Sequence, residues 1–140
     1  MFRFIFYVFI ALSTISCSTA LKVDLVADEF RQDSLKYFVE NHGSDERGLD
    51  RVIAFELQDR GYNISYGTKR DRPEDVDVLV VYEDRWQWDM SNYLIHMRID
   101  LRSPKTNVLL GTGSSYQTSL ARKPVNDVIK NIVSGMFDSK

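Results

Sequence analysis

The chain has almost no cysteine, with only Cys17 among 140 residues. An exported protein with a single cysteine makes no internal disulfide, so that residue has another task or is discarded. An excess of one charge is missing too. Eighteen basic residues against twenty acidic ones leave a formal charge of −2, which argues against the basic surface that nucleic-acid binding requires. Low-complexity tracts and internal repeats are absent. No apolar run is long enough to span a bilayer. The greasy stretch from Phe4 reaches about a dozen residues even with Thr14 and Ile15 counted, against ~20 for a spanning helix. Catalytic signatures are lacking as well. No Gly-x-Ser-x-Gly elbow occurs. Gly111-Thr112-Gly113-Ser114-Ser115 is followed by neither a Lys-Ser/Thr pair nor an immediate helix, so it reads as a glycine-softened strand and not as a phosphate loop.

What is present begins at the N-terminus. Arg3, the apolar residues 4–12, and the small residues Ser13, Thr14 and Ser16 before Cys17 have the layout of a secretory signal. Two processing routes fit it. Thr14-Ile15-Ser16-Cys17 resembles the lipobox of bacterial lipoproteins, although that family prefers leucine where Thr14 stands. The resemblance implies cleavage before Cys17 and acylation of its thiol, each buried methylene contributing about 0.8 kcal/mol to membrane attachment. By the same resemblance, Ser18 implies sorting to the outer membrane. Alternatively, Ser18-Thr19-Ala20 is a small-x-small cleavage site and Cys17 leaves with the signal, giving a soluble periplasmic protein. The expected organisation is a signal peptide over residues 1–16, a lipidated cysteine and short tether over 17–20, and one domain over 21–140.

Within that domain, Leu21, Val23 and Leu25 alternate with polar residues as in a half-buried strand, and residues 34–40 suggest a second. Ser44 is the expected cap of a helix of roughly sixteen residues, with Leu49, Val52, Ile53 and Leu57 as its apolar stripe and Gly61 at its end. Tyr62, Ile64 and Tyr66 predict a further strand. Val76, Val78, Val80 and Tyr82 share one face of a long strand over 76–89, interrupted at Asp84 and resumed by Trp86, Trp88 and Met90. Tyr93, Ile95, Met97, Ile99 and Leu101 face inward on the returning strand, with His96, Arg98, Asp100 and Arg102 outward. Residues 108–119 predict another strand, bulged near Gly111 and Gly113. Pro124 opens a closing helix whose face is Val125, Val128, Ile129, Ile132, Val133, Met136 and Phe137. The fold class is α+β: a two-layer sandwich with a mostly antiparallel sheet, a long hairpin and two amphipathic helices on one face.

Charge sets the hairpin register. Pairing Trp88 with Tyr93 puts Trp86 opposite Ile95, Tyr82 opposite Ile99 and Glu83 opposite Arg98. A slip of two sets Arg85 against Arg98 and Glu83 against Asp100, and like charges directly opposite are destabilising.

The candidate binding residues follow from a length mismatch. A strand over 76–89 runs about 45 Å at ~3.3 Å per residue, whereas the first helix covers ~24 Å. The helices therefore roof only part of the hairpin. Tyr82, Asp84, Trp86, Trp88 and Tyr93, with Met90, are expected around an aromatic tip of the kind that contacts a partner. The plainer alternative is that the last strand and the termini fold over this tip and make it core. His96 reads as an exposed histidine. His42 with Asp45 and Glu46 lacks the ligand number and geometry of a metal site. Glu83 and Asp84 point to opposite strand faces and cannot share a substrate. Asn63-Ile64-Ser65 matches a glycosylation sequon, relevant only to a eukaryotic secretory route.

The run 75–90, the strand 93–101 and the Ser119-Leu120-Ala121-Arg122-Lys123-Pro124-Val125 segment together resemble a group of small uncharacterised bacterial envelope lipoproteins. More loosely, the element order is similar to curli-secretion lipoproteins and the amino-terminal part of TolB, a likeness of layout only. The expectation is a non-enzymatic, membrane-anchored envelope domain that needs no cofactor or metal. It would face the periplasm from the outer membrane and bind another envelope component, most readily a protein, through the aromatic hairpin or a sheet edge. The alternative is a small-molecule or glycan-binding module that stacks ligands on Trp86, Trp88 and Tyr93. A hydrolase with dispersed residues is the reading the motifs support least.

Overall fold

The computed structural model describes residues 19–25, 28–43 and 45–138. The signal segment, Cys17 and the expected cap Ser44 lie outside the described residues. Strands β1 (Ala20–Leu25), β2 (Lys36–Asn41), β3 (Asn63–Thr68), β4 (Val78–Trp88), β5 (Asn92–Arg102) and β6 (Leu109–Tyr116) form one sheet in the order β1-β6-β5-β4-β2-β3. Helix α1 (Leu49–Gln58) joins β2 to β3, and α2 (Val125–Phe137) closes the chain. β2 is parallel to β3 and β4, as a helical crossover demands, and the other pairings are antiparallel. This is the α+β two-layer sandwich that the alternating patterns predict. Among the described residues, no helix is long and apolar enough to cross a membrane.

The helices form where three-and-four spacing builds a continuous apolar stripe. On α2, Val128, Ile129, Ile132, Val133, Met136 and Phe137 are all buried. They meet Val39, Val78, Val80, Met97, Ile99 and Leu101 from the sheet, while Ile53 and Leu57 come from α1. α1 is shorter than its pattern suggests, ten residues from Leu49. Its first turn is held from a distance: Asp45 Oδ2 accepts the Leu49 amide at 2.6 Å and the Asp50 amide at 3.4 Å. The loop ahead of Leu49 therefore stays non-helical, with Gly48 at φ 67. The other end matches expectation. Gly61 takes φ 89, and the amides of Gly61 and Tyr62 return to the carbonyls of Gln58 and Leu57, a Schellman stop.

Three inward assignments are corrected: Val76, and Ile95 and Tyr93 because of a bulge in the hairpin. Val76 packs with Phe38 and Leu79 in a small cluster apart from the main core, because it precedes β4 and is not bound by the strand's alternation. On β5, Leu94 is buried in place of Ile95. The charge-based register holds over the first half of the hairpin, with Tyr82 opposite Ile99 and Glu83 opposite Arg98. Beyond Arg85 a bulge shifts it, so Trp86 faces Leu94, Gln87 faces Tyr93 and Trp88 faces Asn92. One extra residue in β5 reverses side-chain parity for everything nearer the turn.

α2 lies very close to the sheet. A Cβ on Gly113 would stand 2.7 Å from both Ile132 Cγ2 and Met136 Sδ, and one on Gly135 would stand 2.8 Å from Val23 Cγ2. The two glycines let helix and strands β6 and β1 meet at backbone distance. β4 is eleven residues long, or about 36 Å at ~3.3 Å per residue. The ten residues of α1 cover ~15 Å, so the far end of the hairpin projects past the helices.

Candidate contact surfaces

The five residues singled out on the hairpin do not form one cluster. Tyr82 is core, only 3% exposed, and its hydroxyl donates to Asp45 Oδ2 at 2.6 Å. Burial raises the Tyr82 pKa, and the Asp45 carboxylate raises it further. For Asp45 itself, burial pulls upward, but hydrogen bonds from Tyr82 and from the backbone amides of Arg47, Leu49 and Asp50 outweigh it and hold the carboxyl below its ordinary range. Tyr82 therefore anchors the loop before α1 and is not available as a surface contact.

Trp86 is half-buried against the core. Its indole N–H donates to Asp84 Oδ2 at 2.6 Å, and the Arg47 guanidinium sits 4.2 Å over its ring. Tyr93 is half-buried beneath Arg122, whose guanidinium lies 4.0 Å above the ring. Arg122 also donates to Ser119 O at 2.9 Å, to Asp89 Oδ2 at 2.9 Å and to Ser91 Oγ at 3.2 Å. The segment after β6 does come back against the hairpin, yet Trp88 remains 72% exposed. Gln117 fastens that segment from beneath. It is buried, its Nε2 donates to Leu94 O at 3.0 Å, and its Oε1 accepts the Lys123 amide at 2.7 Å.

A second surface lies on the sheet face opposite the helices. Arg98 presents a two-pronged contact to Asp100, Nε to Oδ1 at 2.8 Å and Nη2 to Oδ2 at 2.9 Å. Arg102 Nη2 reaches the same Oδ2 at 2.8 Å, and Thr112 Oγ1 donates to Oδ1 at 2.7 Å. Burial would raise the Asp100 pKa, but these donors reverse it and keep the carboxyl below its ordinary range. The row borders a cleft of about 500 Å³ lined also by Glu40, His42, Arg72 and Glu83. Arg72 Nη1 lies 3.4 Å from Glu40 Oε2 across its rim. Paired charges of both signs over an apolar floor of Leu79 and Val81 suit a polar macromolecular surface.

No family model and no curated protein matches the chain. The fold, however, recurs among solved structures. It is that of PelC subunits. The PelC dodecamer from Paraburkholderia phytofirmans in one crystal form superposes with a TM-score of 0.61 at 10% identity, covering 86% of this chain and 99% of that one. A single-substitution variant of the PelC dodecamer in another crystal form gives 0.59 at 11% identity, covering 86% and 98%. At this identity the likeness to PelC speaks for the fold alone.

The sequence showed Arg98, Asp100 and Arg102 as an outward row but not their shared carboxylate or the cleft beside them. It missed Arg47 and Arg122 as partners of the aromatics, and Gln117 altogether. Cations far away in the chain leave no local pattern. His42 lines the cleft, with its ring 6.1 Å from that of Tyr82. Among the described residues, no three His, Cys, Asp or Glu side chains are placed to hold a metal.

Proposed function

We propose that this chain is a non-enzymatic envelope lipoprotein, anchored through Cys17 at the outer membrane. It acts there by binding another envelope protein through the edge strand β3 and the adjoining helix-free face. The observation that carries this reading is the prearranged Arg98–Asp100–Arg102–Thr112 row beside an open cleft. Its charged groups are already paired and hydrogen-bonded, so they recognise a surface and do not exchange protons. Among the described strands β3 is an edge of the sheet, and Lys69 just after it lines that cleft, which suits strand addition. The shared fold with subunits crystallised as a dodecamer favours a role within an assembly. The glycan-binding alternative is less well supported, because Arg47 and Arg122 already occupy ring faces of Trp86 and Tyr93.

The test is site-specific photo-cross-linking in intact envelopes, using the full chain with its native N-terminus. Cross-linkers at Ser65 on β3 and at Glu83 are expected to capture one discrete protein, whereas one at Lys130 on α2 captures none. Arg98→Gln, which leaves Arg102 and Thr112 to hold Asp100, is expected to weaken the product severalfold while the domain stays folded. Equal capture from Lys130, or none from either face, would overturn the reading.

A further inference from the structure

Three large apolar side chains stand unburied at one end of the domain: Trp88 is 72%, Met90 92% and Leu120 83% exposed. Trp88 and Met90 belong to the hairpin tip. Leu120 lies in residues 117–123, which Arg122 ties to that tip through Asp89 and Ser91. Packing within the domain does not account for apolar residues here. Met90 even holds a left-handed backbone at φ 58, a conformation glycine or asparagine takes at less cost. The tip is also braced, by Arg122 on Tyr93 and by Gln117 beneath the bulge. Apolar groups are thus presented outward on a firm support.

The start of β1 indicates what they meet. Ala20 sits in one row across the sheet with Tyr116, His96 and Arg85. Past that row the hairpin continues through Trp86, Gln87 and Trp88, about 10 Å at ~3.3 Å per residue. Cys17 precedes Ala20 by three residues, a reach of at most ~11 Å for extended chain. The start of β1 and the hairpin tip therefore lie at the same end of the domain, and the two lengths are comparable. A lipid on Cys17 would keep the bilayer within about 11 Å of Ala20, close enough for the tip to touch it. Tryptophan favours the headgroup depth of a bilayer.

We infer that this end of the domain is a bilayer-contact surface, with Trp88 and Met90 seated in the headgroup region and Leu120 beside them. The inference rests on the N-terminal anchoring in the proposed function. It adds a second attachment point, which stands the strands upright on the membrane and leaves the helix-free face open to the side.

The experiment uses the full chain, purified with its native N-terminus and reconstituted into phosphatidylethanolamine–phosphatidylglycerol vesicles doped with brominated phosphatidylcholine. Trp86→Phe leaves Trp88 as the sole tryptophan, and Trp88→Phe leaves Trp86. Bromolipid is expected to lower the emission of Trp88, held at the interfacial depth tryptophan favours, and to leave Trp86 nearly unchanged. Met90→Asp, at a position that cannot disturb packing, is expected to return Trp88 to aqueous iodide. Should the protein float with vesicles while Trp88 stays open to iodide and untouched by bromolipid, the tip surface is refuted and the anchor stands. Should Trp88 be shielded from iodide without bromolipid quenching, a second protein copy covers it and the inference also fails. A chain that does not float at all would refute the anchor, and this inference with it.

Discussion

Tyr82 donates its hydroxyl proton to Asp45 across 2.6 Å, joining the middle of β4 to the loop that starts α1. Asp45 also accepts the amides of Arg47 and Leu49 at 2.9 and 2.6 Å. One carboxylate thus caps a helix and fixes it to the sheet. Tyr82→Phe is expected to cost about 1.5–3 kcal/mol, the worth of one hydrogen bond to a charged acceptor. Asp45→Ala should cost more, since it also strands the helix amides. Urea unfolding of both variants checks the order.

The pH dependence follows from the same carboxylate and from Asp100. Both have folded-state pKa values below the ordinary value of 3.8. As pH falls, the unfolded chain takes up protons first, so the stability these groups supply is complete above that ordinary value and lost as pH drops through their folded values. Urea midpoints should therefore fall steeply below about pH 4. Asp45→Asn should be less stable at neutral pH and show a shallower acid slope.

The two tryptophans should separate cleanly. Trp86→Ala removes the Arg47 stacking and the Asp84 hydrogen bond and is expected to destabilise by about 1–2 kcal/mol. Trp88→Ala, at an exposed position, should stay within about 0.5 kcal/mol of the parent. Thermal melts of the two variants side by side decide this.

Gly113→Ala is expected to cost about 1–3 kcal/mol, because the added methyl meets Ile132 and Met136 and pushes α2 off the sheet. Substituting Gly43, where an added Cβ meets nothing within 4 Å, should cause no such displacement. Hydrogen exchange along α2 distinguishes the two.

Asp100→Ala should cost about 2 kcal/mol or more, since Arg98 and Arg102 then face each other with no shared carboxylate. Arg98→Ala should cost less, because Arg102 and Thr112 still hold Asp100. A double-mutant cycle over Arg98 and Asp100 measures the coupling.

Local pattern was enough wherever one face of an element meets one partner. The stripe of α2, the alternation of Val78, Val80 and Tyr82, the stop at Gly61 and the pairing of Glu83 with Arg98 were all legible, because periodicity and charge act over a few residues. The bulge after Arg85 was not. It depends on Gln117, more than twenty residues farther on, supplying a donor to the carbonyl of Leu94. α1 was overextended for a similar reason, since its cap is a carboxylate four residues upstream that Tyr82 holds in place.

By itself, then, the order of residues determined the α+β layering, the helix faces and the buried face of β4 up to Tyr82, since burying apolar area leaves little choice among them. Tertiary structure alone decided which aromatic residues stay exposed. Tyr82, Trp86 and Tyr93 carry the same period-two signal as Trp88. They differ because Asp45, Arg47 and Arg122 arrive from elsewhere in the chain to cover them, and among the described residues nothing arrives in that way over Trp88.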